Sequence, residues 1–203
     1  MHYIISILLG YLLGCSNMAL YISKLNRVDI RKGGSGNLGA SNVTMQLGWG
    51  AGVLTAVHDI GKSVLAVVLA RLLFPEAAHA GELAGVASVL GHIFPFYLKF
   101  KGGKGFASYL GMILALNWKF ALVILILVAA VTIITDYIVA GTTLTILASP
   151  VYLGLTGGWI AAAVLCVATA VILYKHRINY VRMYKGTEPG LRGAVRGDDR
   201  VKK

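Results

Sequence analysis

The sequence predicts an all-α, polytopic membrane protein with about seven transmembrane helices, its N-terminus outside and its C-terminus cytoplasmic. Three observations carry that expectation. Hydrophobic residues fill 57% of the 203 positions and charged residues 13%, and mean hydropathy is +0.75. A soluble domain would hold nearer ~45–50% apolar and ~25% charged residues, and a disordered chain would be polar and charge-rich. Apolar segments recur along almost the whole length, and Lys and Arg gather in alternate connections between them.

The apolar segments cover residues 3–22, 50–74, 81–98, 104–116, 118–135, 137–155 and 159–174. Several fall short of the ~20 residues that cross a bilayer upright, which leaves a count of five or six open. Lys24, Arg27, Arg31 and Lys32 follow the first segment, and Lys99, Lys101 and Lys104 follow the third. Lys175, Arg177, Arg182, Lys185, Arg192, Arg196, Arg200, Lys202 and Lys203 follow the last. These are sixteen of the nineteen Lys and Arg residues; Arg71 and Lys119 fall on the opposite side and Lys62 within the second segment. The positive-inside rule makes the rich loops cytoplasmic. The net charge of +11 is thus read as topology, and no nucleic-acid partner is expected.

Leu12-Leu13-Gly14-Cys15 resembles a lipoprotein cleavage box. No Lys or Arg precedes the apolar run, however, and the run continues past Cys15, so an uncleaved first span is expected. Cys15 and Cys166 both lie in apolar runs and read as small packing residues. No metal-ligand spacing appears. Near Gly61-Lys62-Ser63, Ala56 stands where a nucleotide-binding loop needs glycine. No repeat or second domain is evident. Residues 1–185 read as a single membrane domain and 186–203 as a basic, mobile tail, in which Arg196-Gly197-Asp198 is a chance triplet.

Polar residues concentrate in three stretches assigned to the cytoplasmic side. The first is Gly33-Gly34-Ser35-Gly36-Asn37-Leu38-Gly39-Ala40-Ser41-Asn42. Glycines let the backbone approach a ligand, and successive amides form anion-binding concavities; the competing reading is a flexible loop. The second runs from His92 through Phe94-Pro95 to Phe100-Lys101-Gly102-Gly103-Lys104-Gly105. Two ammonium groups beside glycine amides suit a phosphate at the membrane surface, while its aromatic residues suit an interfacial belt. The third is Tyr174-Lys175-His176-Arg177-Ile178-Asn179-Tyr180-Val181-Arg182, followed by Gly186 and Glu188. If the last helix extends this far, His176, Asn179 and Arg182 recur at three-residue spacing on one face; otherwise the stretch reads as a basic stop held by anionic headgroups. Inside the second segment, Asp59 and Lys62 can pair on one helix face. Such intramembrane charges read equally as site residues or as a neutralised structural pair.

Taken together, the three stretches resemble the bacterial acyl-phosphate-dependent glycerol-3-phosphate acyltransferases, the PlsY family, over nearly the whole chain. The family's first motif is similar to Gly34-Ser35-Gly36-Asn37 with Gly39-Ala40-Ser41-Asn42. Its next motif resembles His92, Phe94-Pro95, Phe100-Lys101-Gly102-Gly103-Lys104-Gly105 and Ala107. Its last resembles His176-Arg177, Asn179, Arg182, Gly186 and Glu188. Two positions depart from the pattern: Met45 stands where the family usually has Arg, and Tyr137 is followed by Ile138-Val139 where a Ser is usual.

The resemblance implies transfer of a fatty acyl group from acyl phosphate to the sn-1 hydroxyl of glycerol 3-phosphate, in phospholipid biosynthesis at the bacterial inner membrane. It implies Lys104, His176 and Asn179 as catalytic residues. Ser35, Gly36, Asn37, Asn42, His92, Lys101, Gly102, Gly103, Gly105, Arg177 and Arg182 would bind substrate. Partners would be the two substrates, membrane lipids and a soluble enzyme that makes acyl phosphate; no cofactor or metal is expected. The anhydride donor is already activated, so the task is to gather two phosphates and stabilise developing charge. His92 and His176 are the candidate bases, and the leaving phosphate is the alternative. Other glycerolipid acyltransferases carry Asp five residues after a catalytic His, whereas here those positions hold Ile7, Ser63, Ala84, Tyr97 and Val181. Two alternatives remain, a paralogue that acylates another acceptor and a non-enzymatic transporter or scaffold for anionic lipids.

Overall fold

The structure is a computed structural model that describes residues 1–196; residues 197–203, with Gly197 and Asp198 of the triplet, lie outside the described residues. Among the described residues all regular structure is helical. Six helical stretches are long and apolar enough to cross a membrane: His2–Leu25, Trp49–Leu73, Ala80–Leu98, Trp118–Thr135, Ile138–Leu155 and Trp159–Tyr184.

Three elements differ from the apolar pattern. The first stretch is broken into α1 (His2–Cys15) and α2 (Met18–Leu25), because Asn17 caps α2 by accepting the Leu20 N–H at 2.9 Å. The fourth apolar segment yields only the 11-residue helix Phe106–Leu116. At ~1.5 Å per residue this is about 16 Å long, roughly half of a ~30 Å hydrocarbon core. The last helix continues from Trp159 to Tyr184, ten residues past the apolar run.

The chain divides into two compact units, Met1–Trp118 and the remainder from Lys119. In the first unit, α3 (Ala40–Leu47) and α4 (Trp49–Leu73) follow the glycine-rich loop, and α5 (Ala80–Ile93) and α6 (Phe106–Leu116) flank the lysine-rich one. α1 crosses α5 closely. A Cβ at Gly10 would strike the Ala84 carbonyl, one at Gly14 the Ser88 carbonyl, and one at Gly91 the Tyr11 carbonyl. Small residues at such a crossing let membrane helices gain dispersion contacts that lipid cannot supply. Within the second unit, α7 (Trp118–Thr135), α8 (Ile138–Leu155) and α9 (Trp159–Tyr184) are joined by short turns. Phe120 stacks on Tyr152 at 4.0 Å. Thr169 donates to the Ile146 carbonyl at 2.8 Å, and the Thr143 and Tyr180 hydroxyls meet at 2.9 Å. A short helix, α10 (Leu191–Arg196), begins with the Leu191 and Arg192 amides donating to Asp136, each at 2.8 Å.

Candidate functional site

The glycine-rich loop is shaped by two carboxamides. Asn42 is fully buried. Its oxygen accepts the Ser35 N–H at 2.9 Å, and its NH2 group donates to the carbonyls of Ile30 (2.8 Å) and Asn37 (3.0 Å). Gln46 donates to the carbonyls of Ile30 (2.9 Å) and Gly33 (3.0 Å). A turn closes where the Gly36 N–H meets the Gly33 carbonyl at 3.0 Å. Gly34 and Gly36 sit at φ +55° and +66°, a region where a side chain would be strained. Ser35 and Gly36 are exposed and Asn37 half-buried. Leu38 anchors the loop in a buried cluster with Ala19, Ile30 and Val43, and Leu98 from the lysine-rich stretch packs on the same cluster. The first two motifs are therefore neighbours. Between them, Arg31, Tyr97, Leu98, Lys99 and Lys101 line a basic recess of about 330 Å³. The hydrogen bond from Arg31 to Asp29 at 2.8 Å holds the Asp29 carboxyl below the usual carboxylate range.

The lysine-rich loop folds back over the end of α5. The Gly102 N–H donates to the Ile93 carbonyl at 3.0 Å and the Gly103 N–H to the His92 carbonyl at 3.1 Å. This differs from the sequence expectation of unobstructed amides at those two glycines. The loop must satisfy its own backbone as it leaves the helix, and the glycines are needed because a Cβ on either would overlap His92. Gly105, at φ +94°, then caps α6. The first turn of a helix leaves N–H groups without intrahelical partners and favours negative charge. Lys104 stands half-buried immediately before that turn, and Lys101 is exposed.

His92 is buried at the centre of a network reaching far outside its motif. The Lys62 ammonium lies 2.9 Å from His92 Nδ1, 3.1 Å from Asp59 Oδ1 and 2.7 Å from the Ser16 carbonyl. His58 meets the Ser16 hydroxyl at 3.0 Å, and the Tyr97 hydroxyl donates to the Cys15 carbonyl at 2.7 Å. The carbonyls exposed by the break between α1 and α2 are thus met by Lys62 and Tyr97. The i,i+3 spacing makes the Asp59–Lys62 pairing legible in sequence. The reach of Lys62 to His92, thirty residues away, leaves no local signal. Gln46 also escapes a sequence reading, since there it is only the neighbour of a departure at Met45.

In the second unit α9 carries the third stretch as helix. His176 and Asn179 are buried on one face, and Arg182, one turn on, is half-buried. His176 Nδ1 meets the Ile172 carbonyl at 2.9 Å. Gly186, at φ +65°, reverses the chain, with the Thr187 N–H donating to the Arg182 carbonyl at 2.8 Å. The reversal returns Glu188, whose carboxylate accepts the Asn179 amide at 2.5 Å. Arg177 is not on this face. It is exposed, 4.1 Å above the Tyr174 ring, and donates to the Tyr174 carbonyl.

Comparison with known proteins identifies the family. A family profile described as glycerol-3-phosphate acyltransferase matches residues 4–186. The glycerol-3-phosphate acyltransferase of Clostridioides difficile (strain 630) is 38% identical over 191 residues, covering 92% of this chain and 94% of that protein. Glycerol-3-phosphate acyltransferase 1 of Deinococcus radiodurans is 41% identical over 187 residues, covering 91% and 93%. The crystal structure of PlsY, an integral membrane glycerol 3-phosphate acyltransferase, in its glycerol 3-phosphate form is 32% identical. It superposes with a TM-score of 0.88 over 94% of this chain and 96% of that one. The lysophosphatidic acid form is 31% identical with a TM-score of 0.85, covering 94% and 95%. The chain therefore belongs to the PlsY family of integral membrane glycerol-3-phosphate acyltransferases.

Proposed function

We propose that this enzyme moves a fatty acyl group from acyl phosphate to the sn-1 hydroxyl of glycerol 3-phosphate. The hydroxyl oxygen bonds to the acyl carbon, its proton passes to a histidine base or to the departing phosphate, the carbon–oxygen bond to phosphate breaks, and lysophosphatidic acid and inorganic phosphate leave. The observation that carries this reading is the lysine-rich loop, tied to the His92 and Ile93 carbonyls so that Lys104 precedes the α6 N-terminus. A cation beside oriented amides stabilises the charge that develops on a departing phosphate.

In this reading Lys104 and Lys101, with the N–H groups of the first turn of α6, serve the donor phosphate, and Gly102, Gly103 and Gly105 shape the loop that carries them. Ser35, Gly36 and Asn37 hold the other phosphate or position the hydroxyl, and Asn42 acts through the loop it braces. His176, Asn179 and Arg182 serve glycerol 3-phosphate, with Arg177 at the headgroup surface. The polar stretches face the cytoplasm of a bacterial inner membrane, where a soluble enzyme supplies acyl phosphate. The glycerol 3-phosphate and lysophosphatidic acid forms of the solved relative support the acceptor and product.

The test is purified protein in lipid, supplied with acyl phosphate and an acceptor panel. Phosphate release that requires glycerol 3-phosphate and yields 1-acyl product is expected. Release that prefers another polyol phosphate would redirect the reading to the paralogue. No release with any acceptor would favour a lipid transporter or scaffold.

A further inference from the structure

Two buried histidines carry the polar stretches, and their Nδ1 atoms meet partners of opposite hydrogen-bonding character. His92 Nδ1 lies 2.9 Å from the Lys62 ammonium. An ammonium has three donors and no lone pair. The three donors of Lys62 have three acceptors within reach, the Ser16 carbonyl, His92 Nδ1 and Asp59 Oδ1. Asp59 Oδ1 also lies 3.4 Å from His92 Nδ1, a longer approach by an oxygen already engaged by Lys62. Nδ1 of His92 must therefore accept, and the ring proton must sit on Nε2, the edge that faces Gly103. His176 Nδ1 meets the Ile172 carbonyl at 2.9 Å. A carbonyl only accepts, so Nδ1 of His176 must carry the proton, and Nε2 of the neutral ring has the lone pair.

We propose that the two histidines are fixed as opposite tautomers. His92 is a hydrogen-bond donor through Nε2, set by Lys62 as its positioning residue, and His176 holds its proton on Nδ1, toward the Ile172 carbonyl. His92 thereby leaves the list of candidate bases. The broken first helix has a part in this, because its Ser16 carbonyl also accepts from Lys62, at 2.7 Å. The catalytic meaning rests on the acyl transfer proposed above, but the tautomers themselves do not.

The experiment is 15N spectroscopy of ring-labelled histidine in lipid bilayers, with His92→Gln and His176→Asn used to assign signals. Expected are Nε2–H with unprotonated Nδ1 for His92, and the reverse for His176. The same tautomer at both rings, or an imidazolium at His92, would overturn the proposal. In Lys62→Met the His92 proton should move to Nδ1, toward Asp59; an unchanged His92 signal would remove Lys62 from its role. Activity supplies another readout. A glutamine amide can stand in for a donor at Nε2 but not for a base. His92→Gln should keep turnover within about tenfold of the parent, whereas His176→Asn should lose on the order of a hundredfold or more. Equal, deep losses in both variants, with His92→Gln as thermally stable as the parent, would also overturn it. Wild-type protein that shows the expected spectra but no acyl transfer would sink the proposed function while leaving the tautomers standing.

Discussion

The two loops of the first unit are held by different means. The glycine-rich loop is braced by neutral carboxamides, Asn42 and Gln46, which spend their polar atoms on nearby backbone. The lysine-rich loop rests on His92, which rests on the Asp59–Lys62 ion pair. Neutral braces cost less to desolvate than charges and contribute modestly, about 1 kcal/mol per hydrogen bond. A buried ion pair is costly to form and costlier still to leave half-made. The first loop can therefore loosen by degrees, whereas the second is either assembled or lost.

That contrast can be broken at several points. The largest expected effect is Lys104→Ala, which should lower turnover by roughly 10²–10³-fold with membrane insertion and thermal midpoint retained. Phosphate release and thermal unfolding measure the two separately, and normal turnover would dismiss the phosphate assignment. Next is Lys62→Met, which leaves Asp59 buried without its cation. A loss of about 3–5 kcal/mol is expected, seen as a lower unfolding temperature in lipid or detergent. Pairing it with Asp59→Asn should recover much of the loss; if the double variant is no better than the single, the ion pair is not what holds this region.

A smaller effect is expected from Gln46→Ala. Removing both of its hydrogen bonds should cost about 1–3 kcal/mol and appear mainly as a raised KM for the acceptor, with His92-dependent properties untouched. Met45→Arg asks whether the loop's acceptor preference was altered. A steep rise in glycerol 3-phosphate use would mark changed specificity, and an unchanged acceptor profile would remove that idea.

The smallest effect belongs to the exposed Asp29–Arg31 pair. With the Asp29 carboxyl lowered from 3.8, any stability from it is present above that value and lost only as pH falls further, through the lowered folded value. Asp29→Asn should therefore leave activity within about twofold from pH 5 to 8, as surface pairs contribute little. A strong change in that range would show that this pair does more than shape the loop.

Sequence reasoning reached the helical membrane class, the family and the three motifs because each leaves a local mark. Apolar runs announce spans, glycines announce tight turns, and Asp59 and Lys62 announce themselves by three-residue spacing. A last helix continuing through His176 and Asn179 is one of two readings it leaves open, beside a basic stop at the membrane surface. What it could not reach depends on contacts between distant parts of the chain. Asn42 reads as a ligand donor until its oxygen and NH2 group are found on Ser35, Ile30 and Asn37. The amides of Gly102 and Gly103 read as open until the loop closes on α5. Arg177 shares a motif with His176 but not its helix face. The break at Ser16 falls inside an apolar run whose hydropathy does not reveal it.

The crowded crossing of Gly10, Gly14 and Gly91 has a consequence for depth. With no room for even a methyl group, the entry helix cannot slide along α5 without parting from it. The height of His92 within the lipid slab is thus gauged by three missing side chains. Alanine at any of them should tilt that gauge and shift His92, which directly follows Gly91 in the chain.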